Sequence, residues 1–128
     1  MDTHFTGSGA VAAFNAAGGT SYTGGKVPVE NTRSGRDAHW RESVFATEVM
    51  APTISAVNPS SLSAITIRSL SDLGYAVDAG LADPYSVPSP DIAPERLGPV
   101  IEFGDDILRV PLRVVDENGR VVRVIPPR

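Results

Sequence analysis

Residues 39–50 read His-Trp-Arg-Glu-Ser-Val-Phe-Ala-Thr-Glu-Val-Met, and the reading of this stretch governs the rest of the chain. It interleaves Trp40, Val44, Phe45, Val49 and Met50 with charged residues. Trp40, Val44 and Phe45 would share one face if the stretch is helical, but it is short and an irregular course is the alternative, and Pro52 forbids a helix that runs on without a kink. A histidine beside a tryptophan, taken alone, reads as a partly buried, hydrogen-bonded side chain. Met50, taken alone, reads as core filler.

Upstream, residues 18–38 are built from Gly, Ser, Thr, Asn and Asp, with Val27-Pro28-Val29 their only apolar stretch. An exposed loop with one short extended piece is expected, and loops this long are more often functional than accidental. Before it, Gly-Ala-Val-Ala-Ala-Phe-Asn-Ala-Ala at 9–17 predicts a short helix. Thr6 and Ser8 are suited to cap its start and Gly18-Gly19 to stop it.

Downstream, Asn58-Pro59-Ser60-Ser61 opens the clearest helix, over 60–73. Leu62, Ile65, Leu70 and Leu73 recur near the helical period, Ile67 lies off that stripe, and Gly74 ends the run. Tyr75-Ala76-Val77-Asp78 is expected to leave it extended. Pro88, Pro90, Pro94 and Pro99 mark a linker or surface strap. The β-branched runs 107–115 and 121–125 flank Asp116-Glu117-Asn118-Gly119-Arg120, a strong hairpin pattern. Pro111 favours an edge position there, and a lone hairpin must dock on something to be stable.

Composition limits the chemistry. The chain has 128 residues, 41% of them hydrophobic and 20% charged, which bounds it to one modest domain. With 11 basic against 15 acidic residues, a net charge of −4 gives no reason to expect nucleic-acid binding. The absence of cysteine excludes disulfides, thiolate metal sites and cysteine nucleophiles. No apolar run reaches the ~18 residues of a membrane span, and no basic segment leads into an apolar stretch after Met1, so no secretory signal is expected. The only histidines are His4 and His39.

Several of these stretches resemble one family in the same order. His39-Trp40, an acidic residue downstream and Met50 eleven positions after the histidine are similar to the third-histidine and Met-turn segment of leishmanolysin-type peptidases, members of the metzincin group of zinc metalloendopeptidases. Also matching are His4-Phe5-Thr6-Gly7 with its Ala-rich helix, Lys26-Val27-Pro28-Val29-Glu30-Asn31 and Asn58-Pro59. Leu62 through Ile67, Asp72 through Asp78 and Ala82-Asp83-Pro84-Tyr85 complete the match. The resemblance covers about residues 4–85.

The resemblance implies a loop-rich, mainly helical C-terminal subdomain over 1–85; with the Pro-rich linker over 86–100 and the β-hairpin extension over 101–128, both read from the residues themselves, the expected fold is α+β. It implies that His39 is the third zinc ligand, joining two histidines of a His-Glu-x-x-His helix. Zinc would acidify a bound water whose proton the helix glutamate takes. Met50 would form the apolar floor under the metal, and Trp40, Val27 and Val29 would line or brace the site. The substrate implied is a peptide or protein, and the family suggests an extracellular or cell-surface setting.

No His-Glu-x-x-His occurs in this sequence, and two histidines cannot make a three-histidine site. His4 lacks the motif context of a ligand and reads as a packing or surface residue. The expectation is therefore the C-terminal portion of such a peptidase. It would be inactive by itself, with weak or absent Zn2+ binding, and would expose apolar residues on the face that meets its missing catalytic half. The alternative is a non-catalytic interaction or structural module that retains the scaffold and binds through loop 18–38 or the hairpin. Glu42 and Glu48 read as ordinary solvated groups or supporting neighbours of His39. Glu102, Asp105 and Asp106 read as a solvated turn, and Gly7-Ser8-Gly9 is neither a phosphate loop nor a nucleophile elbow.

Overall fold

The computed structural model describes residues 2–23, 25–32, 36–57, 59–89, 99–103 and 110–126. Helix and strand are mixed, and among the described residues the strand pairs are small and antiparallel. Among the described residues no helix is long and apolar enough to cross a membrane.

Strand β1 (His4–Phe5) pairs with β2 (Val27–Pro28), and the ladder continues beyond β2. Val29 bridges Trp40, the Glu30 N–H donates to the His39 carbonyl at 2.9 Å, and the Arg41 N–H to the Pro28 carbonyl at 3.1 Å. The His39–Arg41 segment is thus an extended strip beside β2. Helix α1 (Ser8–Phe14) runs into a π-type turn at Asn15–Gly19, where Gly18 sits at φ 102°, and then into α2 (Thr20–Thr23). The glycine pair kinks the helix where a stop was expected. Its small size matters at Gly19, because a Cβ there would lie 2.4 Å from the Phe14 ring.

Helix α3 (Glu42–Phe45) is a single turn, and Trp40 lies outside it. The expected common face nonetheless exists as a cluster. Trp40 stacks on Phe45 with ring centroids 5.6 Å apart, Phe45 stacks on Phe14 at 5.5 Å, and Phe5 meets Trp40 edge-on. Ala10, Val27, Val44, Ile65 and Val87 complete this core.

Helix α4 (Ala64–Asp72) starts later than expected, capped by Ser63, whose Oγ accepts from the Thr66 N–H. Asn58, the anticipated start signal, lies outside the described residues. Ile65, Thr66, Ile67 and Ser69 are its buried positions, whereas Leu70 and Leu73 are exposed. The expected apolar stripe is therefore rotated: α4 buries one apolar and polar mixture and leaves two leucines outside. Residues 75–78 form no strand, and Ala79–Leu81 is a short 3-10 turn capped by Asp78.

Residues 85–88 cross the core as a strap. The Val87 N–H donates to the Ala17 carbonyl at 2.8 Å, the Tyr85 hydroxyl to the Phe45 carbonyl at 2.6 Å, and the Tyr22 hydroxyl to the Pro88 carbonyl. Residues 90–98, most of the proline-rich segment, lie outside the described residues. Beyond it β4 (Val100–Glu102) returns to pair with β3 (Thr53–Ser55), so the chain after the prolines contributes a strand to the body.

The hairpin forms as β5 (Leu112–Val115) against β6 (Val121–Ile125). Gly119 takes the left-handed conformation at φ 77°, and the Asp116 carboxylate accepts from the Asn118 and Arg120 amides. Residues 107–109 of the expected first strand lie outside the described residues. Both described strands are exposed along their whole length.

Candidate functional site

The strip His39–Arg41 is held on both sides, and that decides where His39 lies. On one side β2 fixes it through the ladder described above. On the other, the Trp40 N–H donates to the Met50 carbonyl at 2.9 Å. The eleven-residue excursion from His39 through α3 to Met50 thus closes on itself and brings the two predicted residues to one place. His39, Trp40 and Met50 line a pocket of about 280 Å³ together with Phe5, Val29, Asp37, Ala38, Thr66, Ser69, Leu70 and Leu73. His39 is buried, and Met50 is 40% exposed at the pocket wall.

Of the predicted lining residues, Trp40 and Val29 are in the pocket, while Val27 is wholly buried in the core. His4 lies on β1, its Nδ1 3.1 Å from the Asp2 carbonyl oxygen, and is not among the pocket residues. Leu70 and Leu73, both exposed, are among the pocket-lining residues.

Two buried carboxylates brace the site, and neither role follows from the sequence pattern alone. Glu30, expected in an exposed loop, is buried. Its Oε1 accepts from the Asn31 and Thr32 amides and its Oε2 from the Glu42 amide, all at 2.9 Å. Burial alone would push this carboxyl up, but those amides at Glu42, Thr32 and Asn31 outweigh it and hold it below its ordinary value. Glu30 ties the His39 strip to the first turn of α3.

Glu48, expected to be solvated or merely near His39, has no exposed surface. Its Oε2 accepts from the Met50 N–H at 2.6 Å. Its Oε1 accepts from the Ser63 N–H, the Ser63 hydroxyl at 2.7 Å and the Thr66 hydroxyl at 2.6 Å. The available signal was the apolar company of Glu48 between Phe45 and Met50, together with two hydroxyls three residues apart at the start of a helix. Arg41 completes the frame, donating to the Val29 and Thr3 carbonyls and pairing with Asp2 at 2.6 Å.

A tetrahedral zinc site needs three protein ligands beside water. Among the described residues no group of three His, Cys, Asp or Glu side chains comes together to hold a metal ion. The pocket offers one imidazole, so these residues fit one corner of such a site and not the whole. Of the acidic cluster expected before the hairpin, Glu102 is exposed in β4, and Asp105 and Asp106 lie outside the described residues. Comparison with protein-family models, curated proteins and solved structures finds no match.

Proposed function

We propose that this chain is the C-terminal part of a zinc-dependent metalloendopeptidase of the leishmanolysin type, supplying His39 as third zinc ligand and Met50 as the Met-turn. The observation that carries the reading is the convergence of His39 and Met50 on one pocket, with the Met50 carbonyl bonded back to the residue after the histidine. In the complete protein zinc would supply a water acidified for attack on a peptide carbonyl. The task of this chain's own residues is to hold. The strip pinned by β2 and Met50 fixes the His39 backbone, Glu30 fixes the turn after it, and the exposed leucines of α4 offer an apolar surface to the catalytic half. Alone, with one imidazole, the chain carries no hydrolytic step.

A second reading, an interaction module that retains the scaffold, draws on the hairpin, whose apolar residues Leu112, Val114, Val122 and Val124 are exposed. The native gene product separates the two. Peptide mapping of the protein recovered with antibody against residues 1–128 should find an upstream His-Glu-x-x-His segment. That product should show chelator-sensitive peptidase activity that is lost in His39→Ala. A native product without that segment, or activity indifferent to His39→Ala, overturns the peptidase reading.

A further inference from the structure

We propose that Glu48 is a positioning residue for His39, acting through Thr66 and Trp40; the functional half of this proposal rests on the zinc reading above. The hydrogen bonds form a closed circuit. The Met50 N–H donates to Glu48 Oε2 at 2.6 Å, the Thr66 hydroxyl donates to Oε1 at 2.6 Å, and the Trp40 indole Nε1–H donates to the Thr66 oxygen at 2.7 Å. The Trp40 backbone N–H then returns to the Met50 carbonyl at 2.9 Å. The residue next to His39 is therefore gripped at both its backbone and its ring, and both grips lead to one carboxylate.

The circuit needs a carboxylate in particular. All four groups facing Glu48 are donors, and an ionised carboxylate only accepts. The charge also sets the Thr66 hydroxyl: its proton must point to Glu48, which leaves a lone pair for the Trp40 indole. A glutamine of the same shape would turn an amide N–H2 toward a donor on one side or the other, leaving at least one buried group unpaired.

The sole tryptophan and the two histidines give clean reporters in the zinc-free 128-residue chain. In Glu48→Gln, NMR should show the Trp40 indole proton exchanging about tenfold faster and the His39 ring signals displaced. The His4 signals and exchange of the Val11 amide, bonded to the Gly7 carbonyl in α1, should stay as in the parent. Thr66→Val should reproduce the Trp40 effect, and Thr66→Ser should restore the parent pattern. If Glu48→Gln does not fold, the Thr66 pair carries the same test. Unchanged Trp40 and His39 signals overturn the proposal, as does acceleration of the Val11 amide by the same factor, which would mark general destabilisation. Because no metal is used, failure here is distinct from failure of the zinc reading, which shows as a native product without peptidase activity.

Discussion

Helix α1 has no side-chain cap of its own, since Gly7 occupies the capping position, and it depends on a residue far away in sequence. The Asp72 carboxylate accepts from the Gly9 amide at 3.0 Å and the Ala10 amide at 2.9 Å. In Asp72→Ala two of the four orphan amides of α1 lose their partner. Losing a cap of this kind costs about 0.5–2 kcal/mol. An opposing effect exists, because Asp72 also ends α4, where a negative charge meets the helix dipole unfavourably by about 0.3–1 kcal/mol at an exposed, screened site. Two short bonds to a charged acceptor outweigh a screened dipole, so the net loss should be about 1 kcal/mol. For a chain of this size that lowers Tm by about 3–6 °C. Urea unfolding followed by Trp40 fluorescence measures it directly, and Asp72→Asn, which keeps one acceptor, should lose less. A further check is Gly7→Ala, whose Cβ would lie 2.4 Å from Asp72 Oδ2 and from a Phe5 ring carbon. Its cost should shrink in the Asp72→Ala background. An Asp72→Ala variant as stable as the parent, or more stable, would show that the α4 dipole outweighs the cap.

Gly19→Ala should cost about 1–3 kcal/mol by crowding the Phe14 ring, read as a lower urea midpoint; an unchanged midpoint would mean the kink relaxes freely. Glu30 makes stability pH-dependent with a definite sign. Its folded pKa lies below the ordinary value of 4.5, so its contribution is present above that value and is lost as pH falls through the folded one. Urea midpoints of the parent and Glu30→Gln should converge on acidification, and a gap that widens would contradict this. Burial, then the charges of Glu48 and Tyr22, raise the Tyr85 phenol. Absorbance titration should therefore show one tyrosine still neutral where tyrosines ordinarily ionise, near ~10. Tyr85→Phe should remove that late step.

The parts legible in the sequence are those whose cause is local. The hairpin turn was readable because Gly119 and the Asp116 side chain build it within five residues. The extended piece at Val27-Pro28 and the existence of α1 and α4 were readable from local composition and apolar spacing, though β2 pairs with the distant β1 and α1 is capped by Asp72. The start of α4 was misplaced because Ser63 caps it only with Glu48 holding the Ser63 amide and hydroxyl, a long-range contact. The spacing of Trp40 to Val44 fits a helix, and the stretch is short enough to be irregular as well. Pairing with β2 draws it into an extended strip instead, while still delivering it to the same core. At the site, the spacing of His39 and Met50 was visible and their meeting was anticipated through a family resemblance. Burial of Glu30 and Glu48 was not, since a carboxylate goes inside only where donors converge, and local amides are joined there by donors distant in sequence, Glu42 for Glu30 and Ser63 and Thr66 for Glu48. Asp72 capping α1 is invisible for the same reason.

The proposed role of His39 is that of one ligand in a zinc site completed by residues of a longer protein. Zinc calorimetry on the 128-residue chain beside zinc analysis of the native product and its His39→Ala variant tests it most directly. Weak or no binding by the chain alone is expected, with about one zinc per molecule in the native product and loss of that zinc in His39→Ala. A native product that retains its zinc without His39, or holds none with it, would rule out His39 as a zinc ligand.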